Sequence, residues 1–139
     1  MKTARLVLPL LLLVSACITQ PDEKSGGDGE RHQAKPLAAG KWESDAIAYG
    51  EGDRTDWKVV DLQDTGFLTL EAVLDNADAN VTLALFDRYG KPINRVAHRK
   101  GDNVQMKLTA EVGIGKYFVM IQAIGESDKT GYAIRSLVR

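Results

Sequence analysis

Apolar and polar residues alternate over several short stretches of the chain. Between Phe67 and Leu74, leucine or alanine occupies every second position, and the same period recurs over 80–86 and 103–109. A period of two is typical of β-strands that bury one face. Segment 117–123 is almost entirely apolar on both faces, which indicates a central strand. Shorter runs predict further strands at 45–49, 57–62 and 132–138.

Turn-forming residues separate these stretches. Glycine supplies the positive φ that tight turns need, and aspartate or asparagine tolerates it while hydrogen-bonding the local backbone. Such residues occur at 64–66, 75–78, 89–92, 100–102, 112–115 and 126–128. Seven or eight short strands with a turn about every 8–12 residues predict one all-β domain over 41–139, a sandwich or a barrel. Leu83 and Val119 are predicted to face its core.

The N-terminus has the layout of an export signal. Two basic residues precede an apolar stretch, 6–14, which is far shorter than the roughly 20 residues needed to span a bilayer as a helix. The segment 14–17, Val-Ser-Ala-Cys, resembles the bacterial lipobox. In that motif the cysteine receives diacylglycerol, the signal is cleaved before it, and the new amino group is acylated. We therefore predict a signal peptide over 1–16 and a lipid-modified Cys17.

The predicted lipid fixes the expected location of the protein. One acyl chain holds a protein to a membrane only reversibly, so three chains on Cys17 would anchor it durably. Ile18 follows, rather than aspartate, and by resemblance to enterobacterial sorting this favours the outer membrane. Cys17 is also the single cysteine of the chain, so no intrachain disulfide can form. We expect a lipid-anchored protein of the cell envelope.

Residues 17–40 differ in composition from the rest of the chain. They are rich in Gln, Pro, Asp, Glu, Lys, Ser and Gly, and they follow neither the helical nor the strand period. Such a segment cannot bury enough apolar surface to offset the entropy lost on ordering. We predict a flexible, lipidated tether that holds the domain off the membrane.

The order of several motifs in the domain is similar to that of bacterial pre-peptidase C-terminal domains. The resemblance rests on an aspartate-aromatic strand at 56–60, an aliphatic strand at 80–87 before Gly90, a glycine-tyrosine strand at 113–121 and a closing strand at 131–134. It implies a single jelly-roll-like antiparallel β-sandwich of seven to eight strands. It also implies an accessory or ligand-binding module, since members of that family are appended to exported proteins and some bind calcium or fibrous substrates.

Composition and side-chain inventory argue against catalysis and nucleic-acid binding. The chain is 44% apolar and 27% charged, and its formal net charge is -1. Such a chain has no overall positive electrostatic potential that would attract nucleic acid. The only thiol is assigned to lipid, and the two histidines, His32 and His98, lie in the tether and in a basic segment. No nucleophile–base, phosphate-loop or zinc pattern accompanies them. We predict a non-enzyme without a cofactor beyond the covalent lipid.

Calcium is the one ion for which the sequence offers a candidate set. Asp75, Asp78 and Asn80 lie in one loop, and Asp87 ends the following strand. Calcium takes six to eight oxygen ligands, including carboxylates and loop carbonyls. Acidic residues also favour turns without any ion, and this second interpretation is preferred for these four residues.

Potentially cationic side chains cluster within thirteen positions, around a turn and a short strand. They are Arg88, Lys91, Arg95, His98, Arg99 and Lys100. Lysine and arginine protect exposed edge strands from aggregation. They also form docking patches for an acidic protein or an anionic glycan, which gives a candidate partner-binding segment.

These observations favour a non-catalytic outer-membrane lipoprotein that acts as a protein-binding adaptor in a cell-envelope assembly, such as a secretion or surface-motility machine. One alternative is a module that binds carbohydrate or peptidoglycan, for which Trp42, Trp57 and Tyr89 are the candidate aromatic residues. Trp57 is assigned to the core rather than to the surface. Another alternative, a regulator of a secreted protease, follows only from the family resemblance.

Lipidation can be tested directly at Cys17. The Cys17→Ser variant lacks the thiol that receives the lipid, so it should move from the membrane fraction to the soluble periplasmic fraction. Mass spectrometry of the wild-type protein should show a mature N-terminus at Cys17 carrying the lipid mass. An unmodified Cys17, or a mature end elsewhere, would contradict the prediction.

Overall fold

The structure is a computed structural model that describes residues 22–139; the predicted signal peptide, Cys17 and the first residues of the predicted tether lie outside this part. Nine β-strands run through the described residues. In chain order they are β1 (Lys35–Pro36), β2 (Glu43–Ala48), β3 (Thr55–Leu62), β4 (Gly66–Leu74), β5 (Val81–Phe86), β6 (Pro92–His98), β7 (Gln105–Val112), β8 (Gly115–Ala123) and β9 (Lys129–Val138).

The strands form two sheets that pack face to face. One sheet has five strands in the order β1-β3-β8-β5-β6, and the other has four in the order β2-β9-β4-β7. All pairings are antiparallel except that of β1 with β3. The β-sandwich class predicted from the alternating pattern is confirmed, with nine strands in the described residues where seven or eight were predicted.

The core lies between the two sheets and is built from the apolar positions of the alternating pattern. Leu83 on β5 and Val119 on β8 are both fully buried, as predicted. The opposing sheet contributes Leu68, Leu70 and Ile134, which are fully buried as well. The two sheets therefore have largely apolar inner faces, which pack on each other, and outer faces that are available to solvent or to a partner.

The connections gather at two ends of the sandwich because the strands run antiparallel. The loops 49–54, 75–80, 99–104 and 124–128 lie at one end, and we call it the near end. The turns and loops at 63–65, 87–91 and 113–114 lie at the other end, the far end. A strand as long as β6 spans about 20 Å, so the two ends of the sandwich lie about that far apart.

The prediction of a flexible tether through Gly40 is wrong for the described part of that segment, 22–40. It packs along the open edge of β3 and forms β1, and we call residues 22–37 the strap. Its backbone is held by hydrogen bonds from Trp57 N to Asp28 O (2.8 Å) and from Leu37 N to Val59 O (2.9 Å).

Leu37 enters the core beside β3, and Gly40 N then donates to Ser136 O on the other sheet (2.7 Å). The chain thus crosses from one sheet to the other directly after the strap. A segment held in this way by a neighbouring strand edge needs no apolar face of its own, so its composition alone was misleading.

Trp57 lies on the outer face of β3 and not in the core, where the sequence interpretation placed it. Val60 and Leu62 are the inward positions of the strand, and Lys58 shares their phase. An odd-numbered residue such as Trp57 must therefore point outward. Among residues 22–139, no helix is long and apolar enough to cross a bilayer.

Candidate functional site

The outer face of the five-stranded sheet carries large apolar side chains. In register across four strands, Trp57 is followed by Met120, Ala84 and Arg95. The Trp57 and Phe86 rings meet with their centroids 5.2 Å apart. A sheet face exposed only to water is usually polar, so an apolar outer face indicates a contact surface.

Part of this outer face is covered by the strap and part of it is open. The guanidinium of Arg31 lies over the Phe118 ring, 5.5 Å from its centroid. Beyond it, an open groove of about 610 Å³ runs between β8, β5 and β6. The groove is lined by Thr82, Ala84, Phe86, Pro92, Ile93, Asn94, Arg95, Met120 and Gln122.

The six predicted cationic residues do not form one patch. His98 is buried, and its ring nitrogens contact the carbonyl oxygens of Ala79 (2.7 Å) and Asp102 (3.3 Å). A side chain at an inward position of β6 is enclosed by the sandwich, so His98 is removed from the candidate docking residues.

The other five cations are exposed but lie in three places. Arg88 and Lys91 flank the far-end turn, whereas Arg99 and Lys100 follow β6 at the near end. Arg95 alone lines the groove on the outer face. The length of β6 separates these groups, so the sequence cluster is a row along one sheet edge and not a single site.

The structure does not bring the predicted calcium ligands together. Asp87 lies at the far end of β5, while Asp75, Asp78 and Asn80 lie at the near end, where β5 begins. Asp87 accepts hydrogen bonds from Tyr89 N (2.8 Å) and Lys91 N (2.9 Å), which stabilise its turn.

Within the near-end loop, Asn80 hydrogen-bonds to Asp128 rather than pointing toward the two aspartates. Asp78 lies 4.0 Å from Lys100, both of them exposed. The predicted four-residue set is therefore corrected: the four residues lie at opposite ends of β5, and the Asp87 side chain stabilises its own turn, as carboxylates commonly do.

A different group of carboxylates converges next to the strap, where Asp28 and Asp56 are buried and Asp45 is exposed. Asp28, Asp45 and Asp56 each place an oxygen within 4.8 Å of the others. Among the described residues, these are the side chains that could hold a metal ion. The Lys58 ammonium already contacts two of them, Asp28 Oδ2 at 3.0 Å and Asp45 Oδ2 at 2.6 Å.

Lys58 is almost fully buried, with 2% of its surface exposed, and Asp28 is 0% exposed. Burial lowers the pKa of Lys58, but its hydrogen bonds to Asp45 and Asp28 outweigh burial and raise that pKa overall. Lys35 adds a second cation 3.1 Å from Asp28 Oδ2. The cluster is therefore an ion-paired network, in which removal of one partner leaves a costly buried charge.

Asp56 lies next to this network but has a different partner. The Tyr132 hydroxyl donates a short hydrogen bond of 2.5 Å to Asp56 Oδ2. Burial raises the pKa of Asp56 to about 7, although the hydrogen bond from Tyr132 acts in the opposite direction. Burial also raises the pKa of Asp53 to about 6, reinforced by the charges of Asp28 and Asp45.

The sequence contained a signal for this cluster. Asp56 and Lys58 share the inward phase of β3 with Val60 and Leu62, and a lysine in that phase needs a buried carboxylate nearby. The partners come from the strap and from β2, whose positions relative to β3 depend on the tertiary fold.

Comparison with known proteins identifies the fold. No family model and no curated protein sequence matches the chain. The pre-peptidase C-terminal domain of a collagenase from Bacillus anthracis superposes with a TM-score of 0.62 at 10% identity, covering 74% of this chain and 93% of that domain. The chain thus has the β-sandwich fold of pre-peptidase C-terminal domains, as the order of its motifs indicated.

A second solved structure shares the architecture. PliG from Aeromonas hydrophila, described as a periplasmic lysozyme inhibitor of g-type lysozyme, superposes with a TM-score of 0.51 at 12% identity. The match covers 76% of this chain and 96% of PliG. At these identities the two likenesses establish the sandwich fold.

The raised pKa of Asp56 predicts a pH-dependent stability. The unfolded carboxyl has a pKa near 3.8, so between about pH 4 and 7 the folded state binds more protons than the unfolded state. The free energy of unfolding should therefore fall as pH rises through this window. Asp56→Asn keeps an acceptor for Tyr132 but cannot ionise, so its stability should depend less on pH than that of the wild type.

Urea denaturation of the full chain at pH 5.5 and pH 8 would measure this effect. Asp61→Asn, at an exposed position on the same strand, is the matched control and should follow the wild type. An equal pH dependence in the wild type and Asp56→Asn would contradict the assignment of the pH effect to Asp56.

Proposed function

We propose that the protein is a non-catalytic binding adaptor, anchored through lipid on Cys17 in the outer membrane, that captures a protein of a cell-envelope assembly on its five-stranded sheet. The observation that carries this proposal is the open groove on the outer face of that sheet. Apolar side chains form its floor, and Arg95 supplies a cation at its β6 side.

The groove has the chemistry of a protein interface. Phe86, Ile93 and Met120 provide apolar surface in its lining, and Ile93 is 39% exposed. Interface cores are enriched in aromatic residues, methionine and arginine, and they are surrounded by polar residues. Thr82 and Gln122 are such polar neighbours at one end of the groove.

Charge indicates the kind of partner. Arg95 lies at the groove, and the exposed Arg88 and Lys91 lie on the same edge toward the far end. Cations at the rim of an interface accelerate encounter with an acidic partner, and salt weakens their effect. We therefore expect a partner segment with apolar side chains for the groove and carboxylates for Arg95.

The strap limits the distance between the domain and the proposed lipid on Cys17. Asp22 Oδ1 accepts a hydrogen bond from Thr55 N (2.6 Å) at the near end, and Lys24 N donates to Gly52 O there. Five residue steps separate Asp22 from Cys17, a reach of about 17 Å at most. Lipid on Cys17 would thus hold the near end beside the bilayer and leave the groove standing clear of it.

The absence of an enzyme role is part of the proposal. In the described residues, the His98 ring is buried against the backbone carbonyls of Ala79 and Asp102. The buried Asp28 and Asp56 are paired with Lys58 and Tyr132, and the buried Asp128 accepts hydrogen bonds from backbone N–H groups. A general base or nucleophile needs access to substrate, which these buried groups lack.

Site-specific photo-crosslinking in intact cells tests the groove. A photoreactive residue at Ile93 should yield a crosslinked partner band, whereas one at Thr109, on the outer face of the other sheet, should not yield that band. Arg95→Glu should weaken the Ile93 band several-fold at low salt, because it places a like charge opposite the acidic partner.

Arg99→Glu is the matched control, since it reverses an exposed cation of the same segment at the near end. It should leave the band unchanged. The free energy of unfolding of both variants should lie within about 0.5 kcal/mol of that of the wild type. A band that persists in Arg95→Glu, or that forms equally from Thr109, would remove the groove from the functional account.

A further inference from the structure

A second concave site lies on the outer face of the four-stranded sheet. Its volume is about 290 Å³, and it is lined by Trp42, Glu71, Ala72, Val73, Gln105, Met106, Lys107 and Arg135. Trp42 precedes β2 and is 45% exposed. This site is separate from the groove, which lies on the opposite outer face of the sandwich.

The side chains of the site are fixed in position by one another. Arg135 places its guanidinium 4.6 Å from the centroid of the Trp42 ring. It also donates through Nε to Glu71 Oε2 at 2.7 Å, and its Nη2 lies 2.7 Å from the same oxygen. A charged pair that also packs on an aromatic ring restrains the rotamers of all three residues, which is the pre-organisation that small-ligand sites need.

The register of the sheet gives the site its shape. Glu71 on β4 pairs with Arg135 on β9 and with Lys107 on β7, so the three side chains form a row across adjacent strands. Trp42 stands at the β9 side of this row and Lys107 at the β7 side. With strands about 4.8 Å apart, the row spans about 10 Å, enough for one or two sugar rings.

We propose that this site binds a pyranose glycan that carries a carboxylate. The C–H face of a pyranose is apolar and packs on exposed aromatic rings, here on the face of the Trp42 indole that Arg135 leaves uncovered. Sugar hydroxyls need fixed donors and acceptors around that contact, and Glu71, Arg135 and the Gln105 amide supply them.

Charge in the site selects an acidic sugar. The carboxylate of Glu71 is engaged by Arg135 at 2.7 Å, whereas Lys107 Nζ lies 3.9 Å from Glu71 Oε1 and is largely exposed. Glu71 is thus neutralised by Arg135, and Lys107 retains positive charge for a ligand. A sugar carboxylate placed beside Lys107 would form an ion pair while the ring packs near Trp42.

Nuclear magnetic resonance titration of the full chain in detergent tests this proposal with two defined probes. One is the disaccharide of N-acetylglucosamine and N-acetylmuramic acid, and the other is chitobiose, which lacks the lactyl carboxylate. The chain has two tryptophans, so the Trp42 indole N–H reports the site and the Trp57 indole serves as an internal control on the other sheet. The acidic disaccharide should shift the Trp42 signal alone and bind more tightly than chitobiose.

Two variants separate the roles of the ring and the cation. Trp42→Ala should weaken binding of both probes about tenfold or more. Because this variant lacks the indole signal, its binding is measured from the backbone amide shifts of β4 and β7. Lys107→Gln should remove the preference for the acidic probe but leave chitobiose binding unchanged. Arg99→Gln, which removes an exposed cation elsewhere, is the matched control and should bind both probes like the wild type.

Specific results would overturn the assignment. A Trp42 signal that stays unshifted by either probe up to about 10 mM would rule out a glycan site of useful affinity. Equal affinity for the two probes in the wild type would overturn the assignment to acidic sugars. Since the groove lies on the opposite sheet, either result leaves the Ile93 crosslinking experiment unaffected.

Discussion

The Lys58 ammonium lies inside the sandwich, where its charge must be neutralised by carboxylates from other segments. Asp45 comes from β2 in the opposite sheet, and Asp28 comes from the strap. A buried ammonium without partners would cost several kcal/mol, so both segments are held where Lys58 requires them. The two sheets and the N-terminal segment are thereby joined at one point.

Several properties of the molecule follow from that junction. The strap closes the open edge of β3, which would otherwise present unpaired backbone groups for aggregation. It also places Asp22 at the near end, which sets where a lipid on Cys17 would act. Part of the outer face of the five-stranded sheet stays open as the groove, and the outer face of the four-stranded sheet carries the Trp42 site. Under the two proposals, one domain would contact a protein on one outer face and a glycan on the other.

The alternating pattern predicted the sandwich because burial of one strand face is a local property of the sequence. It located β4, β5 and β7 to within a few residues and assigned Leu83 and Val119 to the core. It could not show that 22–37 is ordered, since the partners of that segment are distant in sequence. His98 was grouped with the exposed cations because its charge was considered without its phase on β6, which turns it inward.

Native-state hydrogen exchange of the wild-type chain tests most directly whether the strap belongs to the folded domain. The amides of Leu37 and Trp57 donate the hydrogen bonds that join strap and β3. Their protection should lie within about tenfold of that of central amides on β8, because they open only when the domain unfolds. If both exchange about a thousandfold faster than β8 while the sheet stays protected, the segment is a flexible tether and the account is contradicted.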